Sequence, residues 1–300
     1  MKRIAFFTYN EWAFGSIHKA LIKELYKNGI DSNIIDWNIS YSREEFNAFM
    51  DTYDVFVTVP GNAVTALVSY GVPYSSIIAI AHGRYDIQFG ISESNDFNAF
   101  RAYGGISSDL SNFSQQNGIN KKFHLVRNGV NFDEFYRPVT EHLNVIGYSG
   151  AIEKDNPHSN IKDWKRGYLV QDIASKTDTK LLLASNRSHL AMSAYYKDID
   201  CLMVSSTEQE SCGLPLLEAA AAGRLPISTL TGINRDFDRP TGIILPMEED
   251  LYLSSGINSI NTLKENSYLF NQLCTNAQEF ARMYYDWSIV IDNWITLLTQ

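Results

Sequence analysis

Cysteine is scarce in this sequence. The 300 residues hold three, Cys201, Cys212 and Cys274, an odd number with no paired metal-ligand spacing, which supports neither a disulfide framework nor a zinc site. Long apolar stretches are also missing. Runs such as 181–184 end after a handful of residues, whereas a bilayer-spanning helix takes roughly 20. The apolar run that follows Met1-Lys2-Arg3 is too short for a signal-peptide core and has no small-residue cleavage site after it. Positive charge is in deficit, with Lys+Arg 25 against Asp+Glu 34 and a net charge of −9, so nothing draws the chain generally to nucleic acid or anionic lipid. No self-similar period and no low-complexity run beyond the four alanines 219–222 is present, which excludes repeat architectures. A reducing cytoplasm is the expected location, with peripheral membrane attachment left open.

What is present is ordinary globular material, 45% hydrophobic and 20% charged, enough to bury a core. Short apolar runs alternate with longer amphipathic stretches, the pattern of repeated β-α units around parallel sheets. In the first half, strands are expected at 4–8, 32–35, 55–59, 77–81 and 123–126. Helices are expected at 16–28, 62–70 and 108–117, the first capped by Ser16 and ended by Gly29. The second half restarts the rhythm, with strands at 144–148, 180–184, 201–204, 225–229 and 242–245 and helices at 165–176, 188–196 and 215–222. Between the halves, 126–144 lacks apolar periodicity and carries Asn128-Gly129 and Pro138, so the linker is placed there. The expected division is 1–138, 139–285 and a closing helix at 286–300. The halves carry 12 basic and 14 acidic side chains before the cut and 13 and 20 after it.

The segment 205–223 concentrates chemistry. It follows an expected strand and opens an expected helix, the position where open α/β sheets bind ligands. Pro215 suits a first helical turn and Gly223 its end, so the N–H groups around Cys212, Gly213 and Leu214 face outward at the positive end of a helix dipole, a ready phosphate site. Glu210 and Glu218 frame it, eight residues apart, and acids so placed suit hydroxyls of a ribose or sugar. On spacing alone a capped helix with two acids near its start is an equal reading.

Residues 206–223 with Leu225-Pro226-Ile227 resemble the donor-binding signature of the family-4 retaining glycosyltransferases of GT-B fold. Other segments agree in order: Asn128-Gly129-Val130-Asn131 through Pro138 is similar to the family's interdomain segment, Ile146-Gly147-Tyr148-Ser149-Gly150 to the strand opening its second domain, 195–200 to the approach to the donor strand, and Tyr285-Asp286-Trp287 with the helix to Leu298 to the last helix, which returns to the first domain. The resemblance implies two Rossmann-like β/α/β domains facing each other across a cleft. It further implies that Glu218 binds the ribose hydroxyls of a nucleotide-diphosphate sugar, that Glu210 faces the transferred sugar, and that the amides of Ser211, Cys212, Gly213 and Leu214 hold the sugar and β-phosphate. Arg166, with Lys165, would neutralise the diphosphate, whose departing charge needs a partner. In the first half, Gly15 and Ser16 match the glycine loop that meets the diphosphate, and His82 the histidine near the reacting sugar.

These matches compete with plainer readings. Lys165 and Arg166 also suit a solvated helix start, Gly15-Ser16 an ordinary helix-opening turn, and a lone His82 a packed or capping residue. The sequence departs from the family where Ala151 stands in place of an arginine and where 231–236 replaces a Gly-Gly-x-x-Glu turn; it is also short. Cys212 reads as packing, since no histidine base can be placed beside it.

The function implied is retaining, metal-independent transfer of a sugar from a nucleotide-diphosphate sugar, with UDP- or GDP-sugars ranked first and no other cofactor. A saccharide or glycolipid acceptor ranks above nucleic acid, whose bases are the alternative acceptor. A dehydrogenase is disfavoured because no Gly-x-Gly-x-x-Gly follows an expected strand. A nucleotide-sugar epimerase of the same fold and a non-catalytic nucleotide-sugar-binding protein remain as rivals. Oligomeric state is not legible.

Overall fold

Strands buried on both faces read as continuous apolar runs, and three such runs, β1 (Ile4–Thr8), β3 (Val55–Thr58) and β4 (Ile77–Ala81), have no exposed residue. The computed structural model describes residues 2–150, 152, 164–184, 191–210, 213–236 and 242–300, the side chains of 12 and 13 excepted. The chain forms two units, Met1–Gly129 with Trp287–Gln300, and Val130–Asp286. Residues 130–138, placed before the cut by the sequence reading, lie in the second.

The first unit is a six-stranded parallel sheet in the order β2-β1-β3-β4-β5-β6, with β2 at Ser32–Asp36, β5 at Ala102–Gly105 and β6 at Phe123–Leu125. Its helices are α1 (Trp12–Lys27), α2 (Arg43–Thr52), α3 (Asn62–Ser69), α4 (Arg84–Ser92) and α5 (Ser108–Gln116). The closing helix α12 (Trp287–Thr299) packs against α1; its Trp294 is fully buried and donates through Nε1 to the Arg127 carbonyl at 2.8 Å.

The second unit is a five-stranded parallel sheet in the order β11-β10-β9-β7-β8, formed by β7 (Val145–Tyr148), β8 (Lys180–Leu183), β9 (Cys201–Val204), β10 (Leu225–Thr229) and β11 (Ile243–Leu245). Helices α6 (Phe132–Phe135), α8 (Met192–Lys197), α9 (Leu214–Ala221) and α11 (Ser267–Tyr285) contribute to one core cluster, and α7 (Gly167–Lys176) and α10 (Glu249–Glu265) to a second, which also takes Phe270 and Cys274 of α11. Cys201 and Cys274 are buried free thiols. Burial pushes the first well above its ordinary value and the second up to about 12, which leaves both inert.

Strand positions match the sequence reading within a residue, but the helix starts do not all match. α1 begins at Trp12 behind an extended Glu11, so Ser16 is interior and caps nothing. The Gly15 N–H already donates to the Glu11 carbonyl, and a Cβ on Gly15 would stand 2.3 Å from the Asn10 carbonyl. Gly15 and Ser16 are therefore helix residues over which a tight strand-to-helix turn folds, not a loop. The sequence reading also omits β5. Its Gly104-Gly105 suggests a turn, yet a Cβ at 104 would fall 2.2 Å from the His124 carbonyl, so glycine here admits the neighbouring strand. α2 is likewise unassigned, although Ser42 and Glu45 form a reciprocal capping box at its start.

Candidate active site

In each sheet the winding reverses once, between β1 and β3 in the first and between β7 and β9 in the second. Such reversals leave a crevice at the carboxyl ends of the strands. The 205–214 segment leaves β9 at that end.

Four hydrogen bonds weld this segment to the start of α7, three of them donated by the segment. Ser205 Oγ donates to the carbonyls of Lys165 and Arg166 at 2.7 and 2.9 Å, and the Thr207 N–H to the Trp164 carbonyl at 2.9 Å. Tyr148, from β7, donates its hydroxyl to the same Lys165 carbonyl at 3.1 Å. The fold thus brings Lys165 and Arg166 beside the predicted donor segment. Arg166 sits in the left-handed region, φ 50°, as the cap of α7. Its guanidinium is buried: Nε donates to the Ser205 carbonyl at 2.7 Å and Nη1 to the Met247 carbonyl at 2.6 Å, the group lying 5.9 Å from the Tyr252 ring centre. Nη2 is buried without a hydrogen-bond partner, and no carboxylate lies within ion-pair distance among the described residues. Lys165 Nζ stands 5.2 Å over the Trp164 ring.

Gly213 caps α9 with φ 67°, a conformation that suits glycine, and Pro215 follows in the first turn. The Gly213 N–H is not free for an external anion, contrary to expectation. It donates to Glu210 Oε1 at 3.1 Å, so the first anion at this helix start belongs to the chain itself. Glu218, inside α9, is buried and its Oε2 accepts the Tyr196 hydroxyl at 2.7 Å. Burial and that neighbouring carboxylate push the Tyr196 phenol well above its ordinary value, so it remains a donor. Leu214 packs partly buried against the core. Ser211 and Cys212 lie outside the described residues.

Two Asp-x-Asp tripeptides occur, 198–200 and 236–238. The Asp200 carboxylate is spent on the N–H groups of Asn144 and Val145 and on the Thr140 hydroxyl, at 2.8 to 2.9 Å. These lie at the amino ends of β7 and β9, opposite the segment above. The second tripeptide ends outside the described residues. Among the described residues, no cluster of His, Cys, Asp or Glu could hold a metal ion, and no helix is long and apolar enough to cross a membrane.

In the first unit, His82 follows β4. Its ring packs against Phe14 at 4.6 Å between centres and against His18 at 5.6 Å. Desolvation, then the nearby His18, lower its pKa to about 3, so the imidazole is neutral at pH 7. His18 is buried and lowered to about 4 by desolvation, although its Nδ1 lies 2.9 Å from the Phe14 carbonyl. The His82 and Gly83 N–H groups both donate to Asp86 Oδ2, at 2.7 and 2.9 Å. Sequence reading missed Tyr196, His18 and Asp86. For Asp86 a signal existed, since an acid at the third position of a helix often takes the cap's N–H.

No protein-family model matches the sequence, and no curated protein sequence matches it. Solved structures do. HepE of Anabaena, in complex with UDP and glucose, is similar over 100% of both chains at 12% identity with a TM-score of 0.72. Sucrose-phosphate synthase of Thermosynechococcus elongatus matches over 100% of this chain and 99% of its own, at 13% identity and a TM-score of 0.71. The catalytic domain of starch synthase IV of Arabidopsis thaliana, bound to ADP and acarbose, matches over 99% of each chain at 11% identity and a TM-score of 0.68. At such identities the likeness is one of architecture, and the two parallel sheets of six and five strands, end to end with these structures, give this chain the GT-B fold.

Proposed function

We propose that this protein is a glycosyltransferase that takes its sugar from a nucleotide-diphosphate sugar bound at the carboxyl ends of β7 and β9. The observation that carries this reading is Arg166. A buried guanidinium without a carboxylate costs several kcal/mol unless an anion joins it, and its Nη2 is left without a partner. A diphosphate supplies that anion. Glu218 would take the ribose hydroxyls, Glu210 the transferred sugar, and Lys165 with the Leu214 N–H the remaining phosphate charge. HepE with UDP-glucose and starch synthase IV with ADP support a nucleotide donor on this fold.

Transfer would proceed with retention and without a metal ion, as the resemblance implies. Among the described residues no acid is placed as a covalent nucleophile, so the leaving diphosphate would assist in deprotonating an acceptor hydroxyl on the same face of the sugar. The part near the reacting sugar that the resemblance gives His82 would be that of a neutral imidazole, since its pKa is lowered to about 3. Saccharide and glycolipid acceptors rank first by resemblance.

Calorimetric titration of the metal-free protein with UDP, GDP, ADP and CMP tests the donor reading. One diphosphate should bind, and Arg166→Met and Glu218→Ala should each weaken it at least about tenfold, the size of one charge-assisted contact. Absence of binding to all four would overturn the reading.

A further inference from the structure

The crevice expected where the first sheet reverses, between β1 and β3, holds a cavity of about 450 Å³. Four aromatic side chains, Phe7, Trp37, Tyr85 and Phe89, form its walls, with alanines of α3 and the Val59-Pro60 turn between them. Tyr85 and Phe89 meet edge to face at 4.2 Å, and Phe7 and Trp37 at 6.4 Å. Beyond the Trp37 N–H and the Tyr85 hydroxyl, the polar liners are Asn62 and Asp86. Asp86 is anchored through Oδ2 alone; its Oδ1 takes no hydrogen bond among the described residues. Burial raises this carboxyl to about 6.

We propose that this cavity binds an uncharged aromatic alcohol, with its rings against Trp37, Tyr85 and Phe89 and its hydroxyl donating to Asp86 Oδ1. Each wall favours that class. Aromatic pairs gain beyond the area they bury, while a hexose would bring hydroxyls on every side to a mostly apolar lining, and each unpaired one carries a desolvation penalty. An anion would face the Asp86 carboxylate, and a bare hydrocarbon would leave Oδ1 without a donor. That the bound alcohol is the sugar acceptor, in place of the saccharide or glycolipid that the resemblance ranks first, rests on the transferase reading; the binding itself does not.

The test uses the full chain and 2-naphthol, with 2-methoxynaphthalene as the partner lacking the donor and methyl β-glucoside as the saccharide, each titrated by calorimetry at pH 7. The expected result is submillimolar binding of 2-naphthol, weakened about tenfold by methylation or by Asp86→Asn, which keeps an oxygen for the two N–H groups. Ala63→Leu and Ala66→Leu place a good helix former on α3 and fill the cavity, so each should abolish binding while circular dichroism and Tm stay near wild type. Equal affinity for 2-naphthol and its methyl ether, binding that survives both leucine variants, or preference for methyl β-glucoside would overturn the proposal. UDP titrated alongside separates the two readings. Nucleotide binding without 2-naphthol binding refutes only the cavity, and the reverse refutes only the donor site.

Discussion

Changing Tyr196 to Phe removes one oxygen atom and leaves the ring, so its consequence follows from a single hydrogen bond. The hydroxyl is 2.7 Å from Glu218 Oε2, with Tyr196 fully buried and Glu218 only 3% exposed. Hydrogen bonds to charged groups contribute about 1.5–3 kcal/mol, and burial of both partners places this one at the upper end. Tyr196→Phe should therefore destabilise the second unit by about 2–3 kcal/mol. For a body of this size that lowers Tm by roughly 4–12 °C. Differential scanning calorimetry reads the shift, and the same substitution in a Glu218→Gln background reads its origin. With the charge gone, the lost bond is a neutral one, worth about 0.5–1.5 kcal/mol, so the cycle should show a coupling of roughly 1–2 kcal/mol. An equal loss in both backgrounds, or a single-variant loss below about 0.5 kcal/mol, would refute the claim that the phenol holds this carboxylate.

Trp294→Phe removes the Nε1 donor to the Arg127 carbonyl and part of a buried ring, and should cost about 2–3 kcal/mol, seen as a lower urea midpoint at unchanged m. Acid should weaken the first unit. His18 and His82 have folded pKa values lowered to about 4 and about 3, so the unfolded chain binds protons that the folded chain refuses. Their stabilisation is complete above pH 6.5 and declines as pH falls below it. For His18 this amounts to about 2 kcal/mol between pH 6.5 and 5. Asp86, raised to about 6, works in the opposite sense: its burial penalty is relieved as pH falls from 6 toward 3.8. Two imidazoles outweigh one carboxyl, so urea midpoints should drop from pH 7.5 to pH 5, and His18→Phe should flatten the dependence.

Much of the architecture is legible because parallel strands buried on both faces read as largely apolar runs, and β1, β4 and β9 stand as such runs in the sequence. Local chemistry was legible for the same reason: a glycine that needs φ 67° and a proline in the first turn mark the start of α9 from neighbouring residues alone. β5 is not legible because Gly104 answers to the His124 carbonyl of a neighbouring strand, and the start of α1 is not, because Ser16 has the chemistry of a cap while Glu11, whose carbonyl accepts the Gly15 N–H, marks the true start.

The contents of the sites belong to tertiary structure. Nothing within a few residues of Glu218 says that Tyr196 holds it, or near Arg166 that its guanidinium turns to Ser205 and Met247, 39 and 81 residues away. The aromatic cavity is assembled from β1, the ends of β2 and β3, and two helices. Sequence alone determined the alternation of strand and helix, because backbone geometry imposes periods of 2 and 3.6 on any stretch that folds. Which side chains share a buried space was decided by strand order, which packs residues distant in the chain where a desolvated polar group must find its partner.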